Sequence, residues 1–203
     1  LSVFRGGFDR QAALEVAGVG LRQLSALLDR SLLQRHRVGT LTMHGLLREF
    51  AAEKLSQQVA LQQDVRGRHC RYYVDLLIQR EDDFLGRGML QARDELRQDA
   101  ENVRAAVRWA SLHWDTQPAR RMLIALLSFY VVQGWYEGAD VFGDIARVRG
   151  ETLPADSISD PSTDPIIVSA RAHQAFLQTN LGQIDESEGV SRACIGNLAD
   201  LGL

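Results

Sequence analysis

Two carboxylate clusters and one histidine–cysteine pair are the residues of this chain whose types could support catalysis. Glu81-Asp82-Asp83 and the spaced set Glu95, Asp99 and Glu101 offer paired acids, and His69-Cys70 sets a base beside a thiol. Their spacing argues against each. Neighbouring residues on a helix point about 100° apart, whereas a nucleophile and its base must converge within hydrogen-bond reach. The acidic run leads into Phe84-Leu85-Gly86 and reads as a solvated helix end. No G-x-x-x-x-G-K-[ST] loop occurs, and Gly18-x-Gly20 is followed by no phosphate-binding lysine, so it reads as a turn. Cys70 and Cys194 are far apart with no C-x-x-C, which gives no metal motif and fits a reduced, cytoplasmic setting. The expectation is a chain with no catalytic residue and no metal ligand.

The elements around these residues are those of a soluble helical protein. At 203 residues the chain can bury a real core. A net charge of −3 argues against a chain-wide nucleic-acid or membrane surface and leaves room for a local basic patch. Lys54 is the only lysine against 22 arginines, a compositional sign of a GC-rich, bacterial genome. The most apolar run, Met122 to Val132, is shorter than the about 20 residues that span a bilayer and is expected to be a buried helix. No signal or transit peptide is evident, and the chain begins and ends in mid-pattern, as a piece of a larger protein would.

Residues 1–58 read as helix, helix, hairpin, helix. Asp9 caps Arg10 to Ala17, and Gly18 and Gly20 stop it. Leu21, Leu24, Leu27, Leu28 and Leu32 recur at three- and four-residue steps, an apolar face on which Leu27 is expected in the core. Leu32 to His36 and Thr40 to Met43 read as strands around an Arg37-Val38-Gly39 turn. Leu47, Phe50, Ala51 and Leu55 put a second stripe on the next helix, closing a three-helix core around the hairpin.

Residues 59–116 form a linking helical region. Tyr72, Tyr73, Leu76, Leu77 and Phe84 mark one helix, and Leu90, Leu96, Val103, Ala106, Val107 and Ala110 the next, with Gly86-Arg87-Gly88 between them.

An internal repeat follows in 117–203. Gly134-Trp135-Tyr136-Glu137-Gly138-Ala139 and Gly182-Gln183-Ile184-Asp185-Glu186-Ser187 each join two helical patterns at a glycine, with a small residue, Ala139 or Ser187, five positions on. This resembles the turn of a tetratricopeptide repeat, in which small residues let paired helices touch. The 48 residues from Gly134 to Gly182 exceed the usual repeat of about 34. A Pro-rich insertion at 150–165, with Pro154, Pro161 and Pro165 among aspartates and serines, accounts for the excess. Stacked helix pairs line a groove with their first helices. In the second repeat that helix is Ile166 to Leu181, whose polar Arg171, Gln174, Gln178 and Asn180 are the expected partner-binding residues.

Met43-His44-Gly45-Leu46-Leu47-Arg48-Glu49-Phe50-Ala51-Ala52-Glu53-Lys54-Leu55, set after the hairpin pattern, resembles the end of the winged helix of bacterial STAND-type signalling ATPases, the AP-ATPase relatives of NB-ARC proteins often described as transcriptional regulators. Asp99-Ala100-Glu101-Asn102-Val103-Arg104-Ala105-Ala106-Val107-Arg108-Trp109-Ala110 resembles a D-x-x-N-L-R-A-A-L-x-W-A stretch of the same family, whose helical period packs Val103, Ala106, Val107 and Ala110. The resemblance implies a mainly α protein: a small winged-helix domain followed by an α-helical tetratricopeptide-like array. It also implies an upstream nucleotide-binding domain as an intramolecular partner, with ADP or ATP in the full-length protein and no cofactor in this fragment. At the position of the family's Met-His-Asp motif, His44 would contact the ADP diphosphate, although Gly45 stands where the family has Asp.

The function expected is therefore regulatory and non-catalytic. The winged helix would couple nucleotide state to repeats that sense a protein or small-ligand inducer in signal transduction. The alternative is a winged-helix DNA-binding transcription factor with a helical effector domain. Arg22, Arg30, Arg35, His36 and Arg37 favour it, whereas Leu24-Ser25-Ala26-Leu27-Leu28 and Asp29 make a poor reading helix.

Overall fold

The computed structural model describes residues 1–36, 39–84, 86–153 and 164–200, with side chains through residue 192. The protein is mainly α-helical, with eleven helices and one two-stranded hairpin among the described residues. It divides into two compact units, Leu1–Leu76 with Glu95–Trp109, and Leu77–Asp94 with Ala110–Leu203.

In the first unit, α1 (Arg10–Ala17) starts where the Asp9 carboxylate accepts the Ala12 N–H at 2.7 Å. Gly18, at φ +67°, ends it by donating to the carbonyls of Ala13 and Leu14. Gly20 does not stop α1 as expected. It is extended, and its N–H donates to Gln23 Oε1 at 2.8 Å, so it opens α2 (Leu21–Asp29). On α2 only Leu24 is buried; Leu27 and Leu28 are half-buried and Leu21 is exposed. Ser31 then takes φ +56°, and the N–H groups of Leu32 and Leu33 turn back to the Leu27 carbonyl. That closure delays the strands, so β1 is Gln34–Arg35 and β2 Leu41–Thr42, both shorter than the pattern suggested. Arg37 and Val38 of the expected turn lie outside the described residues. Phe8 adds a third rung by exchanging N–H···O bonds with Leu41 at 3.0 and 2.8 Å.

The core around this hairpin is closed by the N-terminal segment and α4 (Val59–Gln79), not by α3 (Gly45–Ser56). Phe4 and Phe8 stack with centroids 4.4 Å apart, and Phe4 meets His69 and Tyr73 of α4 edge-on. With that space filled, α3 buries no residue. Leu47, Ala51 and Leu55 are half-buried, Phe50 is 56% exposed and Leu46 73%. The compact unit therefore runs past residue 58, because the partners of Phe4 and Phe8 lie on α4.

The helical pattern after α4 breaks more often than expected, into α5 (Glu81–Phe84), α6 (Met89–Gln98) and α7 (Ala100–His113). Val103, Ala106, Val107 and Ala110 of α7 are buried as the period predicts, whereas Leu90 is 58% exposed.

In the second unit, α8 (Thr116–Gln133), α9 (Trp135–Thr152), α10 (Pro165–Asn180) and α11 (Ile184–Asp200) form two successive helix hairpins. α10 packs against α9 and α11 and also touches α8, so the pairs are stacked. The tightest approach is at Gly138: a Cβ there would lie 2.7 Å from Tyr130 Cβ and 2.8 Å from Leu177 Cδ1. Three helices thus meet at a residue with no side chain, one position before the expected Ala139, which is also buried. Of the expected insertion, 154–163 lies outside the described residues. Pro165 is the first residue of α10, where a missing N–H costs nothing.

Candidate functional site

His44 precedes α3 with extended backbone and is exposed. Its carbonyl accepts the Arg48 N–H at 2.9 Å, and its side chain makes no capping hydrogen bond. Beyond it, exposed Leu46 and Phe50 share α3 with Lys54, whose Nζ lies 5.4 Å from the Phe50 ring centre.

The residues considered for catalysis are spread out. His69 is buried with Tyr73 on one side and the Asn102 side chain 3.3 Å from Nε2 on the other. Burial pushes its pKa down to about 4; the Asn102 bond opposes this and Arg5 adds to it, so the ring is neutral at pH 7. Asp99, at the head of α7, is raised to about 6, chiefly by burial and also by the Asp9 carboxylate, with the polar side chains of Asn102 and Tyr73 opposing the rise. Glu81 pairs with Arg121 at 2.9 Å. No group of three or more His, Cys, Asp or Glu side chains placed to hold a metal ion occurs among the described residues.

Asn102, passed over when only the apolar face of its helix was read, joins three segments. Its Oδ1 faces His69 and accepts the Arg5 N–H at 2.7 Å, while its Nδ2 donates to the Gly7 carbonyl at 2.8 Å. A buried asparagine with both ends occupied fixes one backbone path for residues 5–7. Its sequence signals were its polarity on an otherwise buried stripe and its place at the Asn of the D-x-x-N stretch.

The four polar residues of α10 do not form one open surface. Gln178 is buried with Nε2 3.5 Å from Glu186 on α11, and Gln174 fills the space above Gly143 on α9. Arg171 is half-buried and reaches Gln174 at 3.4 Å. Asn180 is exposed elsewhere on the helix, its amide donating to the Phe176 carbonyl. The reason is geometric: positions 171, 174 and 178 share the face that α9 and α11 cover, and the outward face carries Ala172, Phe176 and Thr179 instead. On α8, likewise, Ile124 and Val131 are 45% and 42% exposed, although their apolar run was expected to be buried throughout. Ile124 and Val131 on α8 and Phe176 on α10 are therefore large apolar side chains left in solvent.

No protein-family model, curated protein or solved structure matches this chain. Among the described residues no helix is long and apolar enough to cross a membrane.

Proposed function

We propose that this chain is a non-catalytic regulatory and protein-interaction segment of a STAND-type signalling ATPase, with a winged helix joined to a tetratricopeptide-like array. The observation that carries the interaction role is the stacked pair of helix hairpins, whose first helices, α8 and α10, leave Ile124, Val131 and Phe176 in solvent. A stack that seals its interior at Gly138 and leaves large apolar side chains on adjacent first helices suits recognition of a partner. The helix–helix–hairpin–helix order of α1, α2, β1–β2 and α3 supports the winged-helix reading. His44, exposed at the head of α3, is accessible to a nucleotide held by an upstream domain. In this reading the inducer binds the array, and the winged helix passes its effect to the nucleotide-binding domain.

Site-specific photo-crosslinking in the cells that make the protein tests the interaction role. A benzophenone side chain at position 176 should give a discrete adduct, and one at Asp140, on α9, should not. Absence of any adduct at 176 and 131 would remove the array from recognition.

A further inference from the structure

Charge is segregated between the layers of the helix stack. The first helices, α8 and α10, contain no carboxylate; their charged residues are Arg120, Arg121 and Arg171. The second helices carry an excess of acids, Glu137, Asp140, Asp144 and Glu151 against Arg147 and Arg149 on α9, and Asp185, Glu186, Glu188 and Asp200 against Arg192 on α11. Of the carboxylates near α10 among the described residues, its cap Asp164 is buried and neutralised by Arg149, and Glu186 of α11 meets Gln178.

The exposed side chains of the first helices fall into an order. Arg120 and Arg121 flank the row of Ile124 one turn earlier on α8, and Val131 continues that row two turns later. Tyr130 and Leu177 converge on Gly138, which puts their neighbours Val131 and Phe176 at the same level of the stack. The surface thus runs from a basic end at the start of α8 to an apolar end beside the α8–α9 turn. One of the two cations, Arg121, is held by Glu81 of α5, and Arg120 is exposed beside it.

We infer that this face binds an acidic, apolar peptide segment of a partner protein, with its carboxylates toward Arg120 and Arg121 and its apolar side chains on Ile124, Val131 and Phe176. The inference rests on the reading of the stack as a recognition surface and adds the chemistry of the ligand. Carboxylates meet no like charge on α8 or α10 themselves, and Glu81 of α5 is paired with Arg121, whereas the second helices keep an excess of acids even though Arg147 pairs with Asp144 and Glu151 and Arg192 with Glu188. Apolar side chains at the centre with charge at one end favour a peptide over a nucleic acid, whose binding is carried mainly by cations along a phosphate backbone.

The test is fluorescence anisotropy of the full chain with three short labelled peptides, alternating leucine with glutamate, leucine with lysine, and serine with glutamate. The leucine–glutamate peptide should bind best and weaken as salt rises. Ile124→Asp and Phe176→Asp should each weaken it by about tenfold or more, Arg120→Glu should do the same and lessen the salt dependence, and Phe50→Asp on α3 should change nothing. Unchanged melting curves are expected, because the substituted side chains are exposed. Equal binding of the leucine–lysine peptide, insensitivity to Ile124→Asp and Phe176→Asp, or displacement by a single-stranded oligonucleotide would overturn the inference. If the crosslink at position 176 forms while the acidic peptide fails, the ligand chemistry is wrong and the recognition role stands; if the crosslink is also absent, the role itself fails.

Discussion

Arg149 and Asp164 form a buried ion pair that joins the end of one hairpin to the start of the next. Arg149 Nη2 lies 3.0 Å from Asp164 Oδ2, and Nη1 donates to the Ser111 carbonyl at 2.6 Å. The other carboxylate oxygen accepts the N–H groups of Ile166 and Ile167. One aspartate thus caps α10 and neutralises the arginine of the last turn of α9, and that arginine also satisfies a carbonyl of α7.

Removing Asp164 leaves the largely buried Arg149 with the Ser111 carbonyl but no counter-charge. Asp164→Ala should cost about 3 to 5 kcal/mol, whereas Asp164→Asn, which keeps a capping oxygen, should cost less. Urea denaturation of both variants checks the order; equal losses would mean that the ion pair, and not the cap, dominates.

Gly138→Ala should destabilise the protein by about 1 to 3 kcal/mol through overpacking, because Tyr130 and Leu177 already occupy the space of a methyl group. Gly189→Ala, in α11 with nothing within 4 Å of the added carbon, should instead stabilise by up to about 1 kcal/mol. A thermal melt in which both alanines act alike would deny the close approach at Gly138.

The raised Asp99 pKa means that the folded state holds a proton more tightly than the unfolded chain between pH 3.8 and about 6. Its contribution is complete below 3.8 and is lost as pH rises through about 6. His69 acts oppositely: the unfolded chain binds the proton more tightly between about 4 and 6.5, so its contribution is lost as pH falls through that range. Asp99→Asn should therefore stabilise at pH 7 by about 1 to 3 kcal/mol, and the gain should fade near pH 4. A gain that is the same at both pH values would assign the effect to capping of α7.

For the nucleotide link, the isolated chain should hydrolyse no ATP and bind ADP no tighter than about millimolar, since its sequence has no phosphate-cradling loop. On the proposed reading, in a longer protein that carries a nucleotide-binding domain, His44→Ala should speed ADP release and raise basal signalling, because a proposed contact of the resting state is lost. Unchanged release would leave His44 as an ordinary helix-leading residue.

The helical class, the cap at Asp9, the buried face of α7 and the two hairpins around Gly134 and Gly182 were legible in the sequence, because each depends on local periodicity or on one residue's conformational preference. What local pattern could not reveal was which apolar face finds a partner. Leu27 and Phe50 have the same spacing credentials as Leu24, yet only Leu24 is buried, since distant Phe4, Phe8 and Tyr73 supply the rest of that core. Leu27→Ala should consequently cost less than the about 2 kcal/mol or more of a full core truncation. The same non-locality hid which face of α10 is open. Polar residues on α10 suggested recognition, but α9 and α11 cover three of them and leave Phe176 outside.

The bonds of Asn102 reach across 97 residues to Arg5 and 95 to Gly7. On the ribosome this separation is a delay. Chains grow at about 5 to 20 residues per second, so the segment carrying Phe4 and Phe8 must wait several seconds for the helix that pins it. Phe4 and Phe8 can meet α4 earlier, but the backbone of residues 5–7 gains its Asn102 bonds, and the first unit its last helix, only after α7 has been made.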